Sequence, residues 1–192
     1  MNLVIFAYSR RGCGTALRAK SALCAPGDQC RCYASEKYAG GAFEPIVPPC
    51  GRFTGPLFAW ADAMVFVGAA GIAVRSIAPY VKDKRTDPAV LSVDELGKFV
   101  IPLLSGHIGG ANALAEKLAE ALGAVPVVTT ATDINGRFSA DAWAARQGLA
   151  ITDMGAAKKV SAAILEGNVP LCCDFPIAGE LPPGTQPGES GQ

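Results

Sequence analysis

Short apolar runs recur along the chain and predict the strands of a buried sheet. The clearest run, AMVFV at 63–67, is apolar throughout, as expected for a strand that is covered on both faces. Other runs are bounded by glycine, proline and polar residues, which are typical of strand ends. The predicted strands are residues 3–8, 29–34, 63–67, 90–93, 99–104, 125–129 and 169–173.

Apolar positions that recur every three or four residues predict the helices. Along 69–81 the small and apolar side chains fall on one helical face. Leucines stacked at i+4 spacing mark 110–122, and Gly123 stands where a left-handed cap is expected. Residues 39–56 are rich in glycine and proline and are predicted to be a loop. The predicted helices are 15–24, 69–81, 110–122 and 155–166.

The alternation of strands and helices predicts the fold class. It indicates α/β architecture, in which a three-layer α/β/α domain with a largely parallel sheet covers residues 1–132. Only a short turn separates 90–93 from 99–104, so these two strands are predicted to form a hairpin. Residues 133–180 form a middle region that we expect to be a small C-terminal α/β extension. Residues 181–192 have the composition of a linker-like tail.

Charge and hydropathy narrow the class of partners. Half of the 192 residues are hydrophobic, and 17 basic residues balance 17 acidic ones. A general basic field for nucleic acid is therefore absent. The local basic clusters 10–11 and 82–85 could contact an anion, but solvated surface is the preferred interpretation. The longest nearly apolar stretch, 63–74, is too short to span a bilayer, and the apolar N-terminus lacks a basic signal-peptide start. We expect a cytoplasmic protein with no nucleic-acid or membrane partner.

The cysteine pattern argues against a metal centre. None of the seven cysteines forms a CxxC pair, and neither Cys30 with Cys32 nor Cys172 with Cys173 has the spacing of metal ligands. Several lie in predicted strands, where a thiol packs as a small hydrophobe. We therefore expect reduced thiols and predict no protein-bound metal.

Two glycines open the predicted helix that follows strand 63–67. Gly68 and Gly71 leave backbone N–H groups accessible to an anion, and Arg75 lies close to the same helix end. The helix dipole disfavours a cation there, and a bound anion would relieve this. A tight turn with a solvated arginine explains these residues equally well.

The only histidine of the chain lies in a second glycine-rich loop, LSGHIGGAN at 104–112. The unperturbed pKa of a histidine side chain suits proton transfer near neutral pH. A lone histidine is often structural, but a position between glycines in a strand-to-helix loop favours a functional role for His107. The candidate substrate-binding residues in this loop are Ser105, Gly106, Gly109, Gly110 and Asn112.

Polar side chains follow the predicted strand at 125–129. Thr129, Thr130 and Asp133 can hold polar groups of a ligand, although an Asx or Ser/Thr turn would explain them equally well. Because these residues come after a strand, we include them among the candidate substrate-binding residues.

Ligands of doubly wound sheets bind outside the carboxyl ends of the strands. We therefore expect 68–75 and 105–112 to lie at one edge of a single sheet and to border one cleft. Asp94 and Glu95 are nearby acids that we take as candidate catalytic residues, unless they only cap the hairpin.

Four segments, in order and with familiar spacing, closely resemble the CbiG family, the cobalt-precorrin-5A hydrolases. The resemblance covers the N-terminal and middle regions and is specific between about residues 60 and 135. The first sixty residues match only loosely. The segments are GIAVRSIAP at 71–79, DPAV at 87–90 with VDE at 93–95, LSGHIGGAN at 104–112 and TTATD at 129–133.

The resemblance implies an enzyme of anaerobic cobalamin biosynthesis. Such an enzyme opens the lactone of cobalt-precorrin-5A, a cobalt-containing tetrapyrrole, and releases acetaldehyde to give cobalt-precorrin-5B. The cobalt is carried by the substrate, so we expect no cofactor. The family's C-terminal domain has no counterpart in these residues, so a separate C-terminal domain or subunit is an expected partner. Whether the chain forms a homo-oligomer stays open.

The chemistry of this reaction suggests roles for the candidate residues. Helix amides and Arg75 would hold the peripheral carboxylates of the substrate, and His107 would be the general base. Amides of residues 106–110 would stabilise an oxyanion.

Two other functions compete with the hydrolase. The chain can be the non-catalytic, tetrapyrrole-binding part of a split or multi-component enzyme. It can also be an ordinary enzyme that binds a nucleotide or a sugar phosphate, although the absence of a P-loop and of GxGxxG counts against that.

Overall fold

The computed structural model describes residues 1–173, 176–177 and 179–188. Its contacts divide the chain into two compact units, Met1–Val127 and a second that begins at Val128. The strands are β1 Asn2–Ala7, β2 Gln29–Ala34, β3 Glu44–Pro45, β4 Ala63–Val67, β5 Ala89–Val93, β6 Phe99–Leu104, β7 Val125–Pro126, β8 Val169–Leu171 and β9 Thr185–Pro187. The helices are α1 Arg10–Leu23, α2 Cys50–Trp60, α3 Ala70–Ile77, α4 Ala111–Leu122, α5 Ala131–Ile134, α6 Ala140–Arg146 and α7 Met154–Glu166.

The strands of the first unit form one sheet in the order β3-β2-β1-β4-β5-β6-β7. β1 to β5 run parallel to one another, β6 is antiparallel to β5, and β7 is parallel to β6. Every residue of β4 and β5 is buried, because helices cover both faces of the sheet. The predicted largely parallel sheet and the predicted hairpin are both confirmed.

Alternate residues of each central strand supply two separate cores. Leu3 and Ile5 of β1 point to the face covered by α1 and α4. Val4 and Phe6 point to the opposite face, which α2 and α3 cover. This period of two in side-chain direction places a helix layer on each face and gives the predicted three-layer architecture.

Helix α2 corrects the prediction of a loop over 39–56. It begins directly after Pro49 and continues through Pro56 to Trp60. Thr54, Leu57 and Phe58 are buried at i, i+3 and i+4 spacing, so burial of one helical face outweighs the cost of the proline. The glycines and prolines concealed this pattern in the sequence.

Several predicted elements are shorter in the structure, two of them by three residues or more. The helix expected over 69–81 ends at Ile77, and the strand expected over 125–129 ends at Pro126. Strand β7 pairs with only the first two residues of β6, which explains its early end. Gly123 has the expected left-handed conformation, with φ of 65°, at the end of α4.

The second unit contains α5, α6, α7 and a two-stranded parallel sheet of β8 and β9. It therefore has both helices and strands, as expected of the α/β extension. Strand β9 lies within 181–192, where composition indicated a linker, because backbone pairing with β8 is a long-range contact that composition does not show. No helix in the described part of the chain is long and apolar enough to cross a membrane.

Asp94 fixes the turn between β5 and β6. Its Oδ1 accepts the N–H of Leu96 at 2.9 Å, while its Oδ2 accepts those of Lys98 at 2.8 Å and Phe99 at 2.7 Å. Gly97 completes the turn with a φ of 68°, in the left-handed region that favours glycine. One carboxylate thus satisfies three backbone donors at the point where the chain reverses.

We predict that Asp94→Ala lowers the free energy of unfolding by about 1–2 kcal/mol, because three turn amides lose their charged acceptor. Urea denaturation followed by circular dichroism measures this change. Replacing the exposed carboxylate of Glu120 by alanine is the matched control, and it should change stability by less than about 0.5 kcal/mol. Equal stabilities of the two variants would show that the Asp94 bonds do not hold the hairpin.

Candidate functional site

The direction of β6 divides the predicted site residues of the first unit between two opposite edges of the sheet. β1 to β5 are parallel, so their carboxyl ends form one edge. In β6, Val100 pairs with Val93 and Leu104 pairs with Val90, so β6 ends where β5 begins. We call these the carboxyl edge, with residues 8–12, 68–71 and 94–97, and the His107 edge, with residues 82–88 and 105–110.

The expectation that 68–75 and 105–112 border one cleft is therefore wrong. The strands between the two edges are five residues long in β4 and β5, which corresponds to roughly 13 Å from the first to the last Cα. The physical cause is the hairpin, because reversal of the chain sends the loop after β6 away from the loop after β4. Arg75 and His107 do not face a common cleft of this unit.

At the carboxyl edge, Arg75 folds back over the first turn of α3. A Cβ added to Gly71 would lie 3.2 Å from Nη1 of Arg75, so the guanidinium is close to the helix N-terminus, as predicted. A Cβ on Gly68 would lie 3.0 Å from the ring of Tyr8, and the Gly68 N–H donates to Val93 O at 2.8 Å. A side chain at position 68 would therefore crowd the Tyr8 ring between two strand ends.

Asp94 and Glu95 also lie at the carboxyl edge, far from His107 along the sheet. The Asp94 carboxylate accepts three backbone N–H groups of the turn, which gives it a structural role, and its catalytic role stays a prediction. Ser9 Oγ donates to Glu95 Oε2 at 2.6 Å and accepts the N–H of Gly12 at 3.0 Å, so Glu95 supports the N-terminus of α1. The structure does not gather the three predicted catalytic residues.

Sequence reasoning missed a polar cluster at this edge. The Tyr8 hydroxyl is 3.8 Å from Sγ of Cys50, which is in turn 3.4 Å from Oγ of Ser76. Burial, reinforced by the nearby Cys50, raises the pKa of Tyr8 well above its usual value, so the phenol stays neutral. In the sequence, the only indication of this cluster is the position of Tyr8 at the end of a predicted strand.

The loop of the His107 edge is built on a strained and buried serine. Ser105 has a φ of 57° and is only 5% exposed, and among the described residues it alone adopts positive φ without being glycine. Its Oγ donates to Asp87 O at 2.9 Å. A residue keeps such a conformation only where the surrounding structure holds it there, and such residues are often found at functional sites.

Two glycines of this loop, Gly106 and Gly109, leave little room for side chains. A Cβ on Gly109 would overlap Ser105 Cβ and lie 2.9 Å from Ser105 O. A Cβ on Gly106 would lie 2.8 Å from Oδ1 of the buried Asn112. The two glycines therefore fix a compact loop, and Gly110 ends it in the left-handed region with φ of 78°.

The loop also occupies the first amides of α4. The N–H of Ala111 donates to Ser105 O at 3.1 Å, and the N–H of Asn112 donates to Gly106 O at 3.0 Å. The N–H of Gly110 donates to His107 O at 3.0 Å, which closes a turn with His107 at its start. Of the predicted oxyanion donors, the Gly110 amide is therefore engaged, and residues 106–109 stay as the candidates.

Asp87 joins this loop to the preceding one, and sequence analysis did not include it among the candidate site residues. It is 8% exposed, and its Oδ2 accepts the N–H groups of Lys82 at 2.7 Å and Asp83 at 3.0 Å. Its backbone carbonyl accepts the Ser105 hydroxyl. The local sequence pattern predicts neither the side-chain contacts of Asp87 nor the contact of its carbonyl group.

The remaining predicted residues fall in the second unit. Thr130 is the N-terminal cap residue of α5, Asp133 lies in the first turn of that helix, and Thr129 precedes the cap. Their participation in a common site with the first unit stays a prediction. In the described part of the chain, no group of three or more His, Cys, Asp or Glu side chains is arranged to hold a metal ion.

Comparison with known proteins links this fold to one family. Residues 52–133 match the family described as cobalamin synthesis G N-terminal. This range contains the His107 edge and residues 68–71 and 94–97 of the carboxyl edge. A cobalt-precorrin-5A hydrolase from Salmonella typhimurium is 46% identical over 128 residues, which are 67% of this chain and 36% of that protein. A cobalt-precorrin-5A hydrolase from Priestia megaterium is 47% identical over 92 residues, which are 48% of this chain and 25% of that protein.

A solved structure shares the fold. The crystal structure of a cobalamin biosynthesis protein G homologue from Sulfolobus solfataricus matches with a TM-score of 0.56 and 24% identity, covering 96% of this chain and 52% of that one. The chain thus spans about half of this structure and about a third or less of the two hydrolases. The match over 52–133 and the two relatives identify the chain as a member of the CbiG family.

Proposed function

We propose that this chain takes part in the hydrolysis of cobalt-precorrin-5A in cobalamin biosynthesis. Water hydrolyses the lactone of the cobalt-containing tetrapyrrole to a carboxylate and an alcohol. The carbon–carbon bond between the alcohol carbon and the macrocycle then breaks, so that the two-carbon unit leaves as acetaldehyde and the ring carbon takes the electron pair and a proton to give cobalt-precorrin-5B. The site of this reaction is the His107 edge. The observation that carries the proposal is the strained, close-packed Ser105–Asn112 loop, which lies within the family match and holds the only histidine.

The supporting argument begins with the two edges. At the carboxyl edge, the α1 N-terminus is already capped by Ser9 and flanked by the carboxylate of Glu95. The carboxylate of Glu95 would repel the carboxylates of a tetrapyrrole and already occupies the position at the helix N-terminus that one of them could take. At the His107 edge, the glycines bring the backbone to the surface beside an imidazole, and the buried hydroxyl of Ser105 anchors the loop.

The mechanism requires an activated water and stabilisation of an oxyanion. The neutral imidazole of His107 accepts a proton from the water that attacks the lactone carbonyl. Backbone N–H groups of residues 106–109 donate to the oxygen that becomes negatively charged. A rigid loop favours this role, because donors that are already in place need no reorganisation during the reaction.

We predict that His107→Ala lowers the rate of acetaldehyde release by about two to four orders of magnitude. In the parent chain, the rate should rise with pH through the pKa of the imidazole, since only its neutral form accepts the proton. The assay mixes purified chain with cobalt-precorrin-5A and measures acetaldehyde, while circular dichroism verifies the fold.

The matched variant His107→Asn retains a hydrogen-bond donor but has no basic nitrogen. It should be as inactive as His107→Ala. Near-parental activity of His107→Asn would remove the histidine from proton transfer. Substrate binding without acetaldehyde release by the parent chain would instead favour the alternative function, a non-catalytic tetrapyrrole-binding part of a multi-component enzyme.

A second prediction tests which edge holds the substrate. Because Arg75 lies at the carboxyl edge, Arg75→Ala should leave both KM and kcat of acetaldehyde release within about twofold of the parent values. A tenfold rise in KM at unchanged kcat would show that Arg75 holds a substrate carboxylate. That result would move substrate binding to the carboxyl edge.

A further inference from the structure

We infer that two loops of the His107 edge, 82–87 and 105–110, form the two walls of one substrate site, the His107 site. Lys82 in the first of these loops binds a peripheral carboxylate of the substrate. Asp87 is the positioning residue that holds this wall against the Ser105 loop. The inference rests on the proposed function for its substrate, a corrin-type tetrapyrrole with free carboxylates. It assigns a recognition residue and a positioning residue at that site.

The first step is the way in which Asp87 shapes its own loop. Its Oδ2 accepts the N–H of Lys82 at 2.7 Å and that of Asp83 at 3.0 Å. The backbone closes the same turn, since the N–H groups of Asp87 and Thr86 donate to Asp83 O at 2.9 and 3.0 Å. The buried carboxylate therefore fixes the backbone from which the Lys82 side chain projects.

The second step is the bond that joins the two loops. The Ser105 hydroxyl donates to Asp87 O at 2.9 Å, and both residues are more than nine-tenths buried. Ser105 O in turn accepts the N–H of Ala111 at the start of α4. Asp87 thus bonds to the base of the Lys82 loop with its side chain and to the base of the His107 loop with its carbonyl group.

The third step is the distribution of charge along the loop. Asp83 pairs with Arg85 through two bonds, from Nε to Oδ1 at 3.0 Å and from Nη2 to Oδ2 at 2.7 Å. The Arg85 side chain lowers the pKa of Asp83, so the pair stays ionised and each charge offsets the other. Lys82 is exposed and lies at the end of the turn that Asp87 fixes, where its cation can meet an anion.

The ammonium group of Lys82 favours one class of ligand. A lysine ammonium is a compact point charge with three donors, which suits single carboxylates spread around a large ring. Tetrapyrroles with free acetate and propionate groups present such carboxylates. A ligand whose carboxylates are esterified would lose this contact.

Binding measurements test Lys82 independently of turnover. The probe is cobyrinic acid, a corrin with free peripheral carboxylates, and its fully methylated ester is the comparison ligand. We expect Lys82→Ala to raise the Kd of the acid about fivefold while the ester is unaffected, and Lys82→Arg to restore most of the affinity. The control is Lys98→Ala, because Lys98 is exposed at the carboxyl edge and should not contribute.

Kinetic measurements with cobalt-precorrin-5A test Asp87. Asp87→Ala should lower kcat by on the order of tenfold to a hundredfold and also raise KM, since both loops lose their fixed position. Asp87→Asn should rescue most of this loss, because its single amide oxygen can accept both N–H groups. Ser105→Ala should lower kcat with little change in KM, since it frees the His107 loop but leaves the Lys82 turn intact.

The outcomes separate this inference from the proposed function. Lys82-dependent binding of cobyrinic acid without hydrolysis would leave the inference intact and contradict the hydrolase proposal. Hydrolysis with equal Kd values for Lys82→Ala and Lys98→Ala would overturn the inference alone, as would failure of the parent chain to bind cobyrinic acid. Equal kinetic losses in Asp87→Ala and Asp87→Asn would overturn the positioning role.

Discussion

The antiparallel pairing of β5 with β6 is the constraint on which the candidate site depends. If β6 continued the parallel sheet, its loop would lie at the same edge as the loop after β4, where doubly wound folds bind ligands. The hairpin instead makes β6 run antiparallel to β5, and the Asp94 carboxylate stabilises the turn by accepting three hydrogen bonds. The His107 loop consequently meets the 82–88 segment at the start of β5.

Much of the fold could be predicted from local patterns. Runs such as 63–67 are buried on both faces, so their composition is nearly sufficient to identify a strand. Helix α2 could not be predicted in the same way, because Pro56 and the glycines obscure the spacing of its buried residues. The sequence also predicted the hairpin, and a hairpin by itself reverses β6 relative to β5. The expectation of a shared cleft did not take this reversal into account.

The site was harder to predict than the fold. The sequence indicated that 105–112 is a special loop, because glycines surround the lone histidine. It did not indicate that Ser105 is strained, or that Asp87 joins two loops, since these contacts span 18 residues and require the folded sheet. Asp94 and Glu95 were selected as acids near a turn, and the sequence did not show that they make contacts to the turn backbone and to the cap residue of α1.

The central claim is that the tetrapyrrole binds at the His107 edge. A paramagnetic Co(II) corrin broadens the amide resonances of residues close to the metal, so nuclear magnetic resonance of isotopically labelled chain locates it directly. We predict that addition of Co(II) cobyrinic acid broadens the amides of 82–87 and 105–110 and leaves those of 68–71 sharp. Broadening of 68–71 with sharp signals at 105–110 would contradict this account and place the ligand at the carboxyl edge.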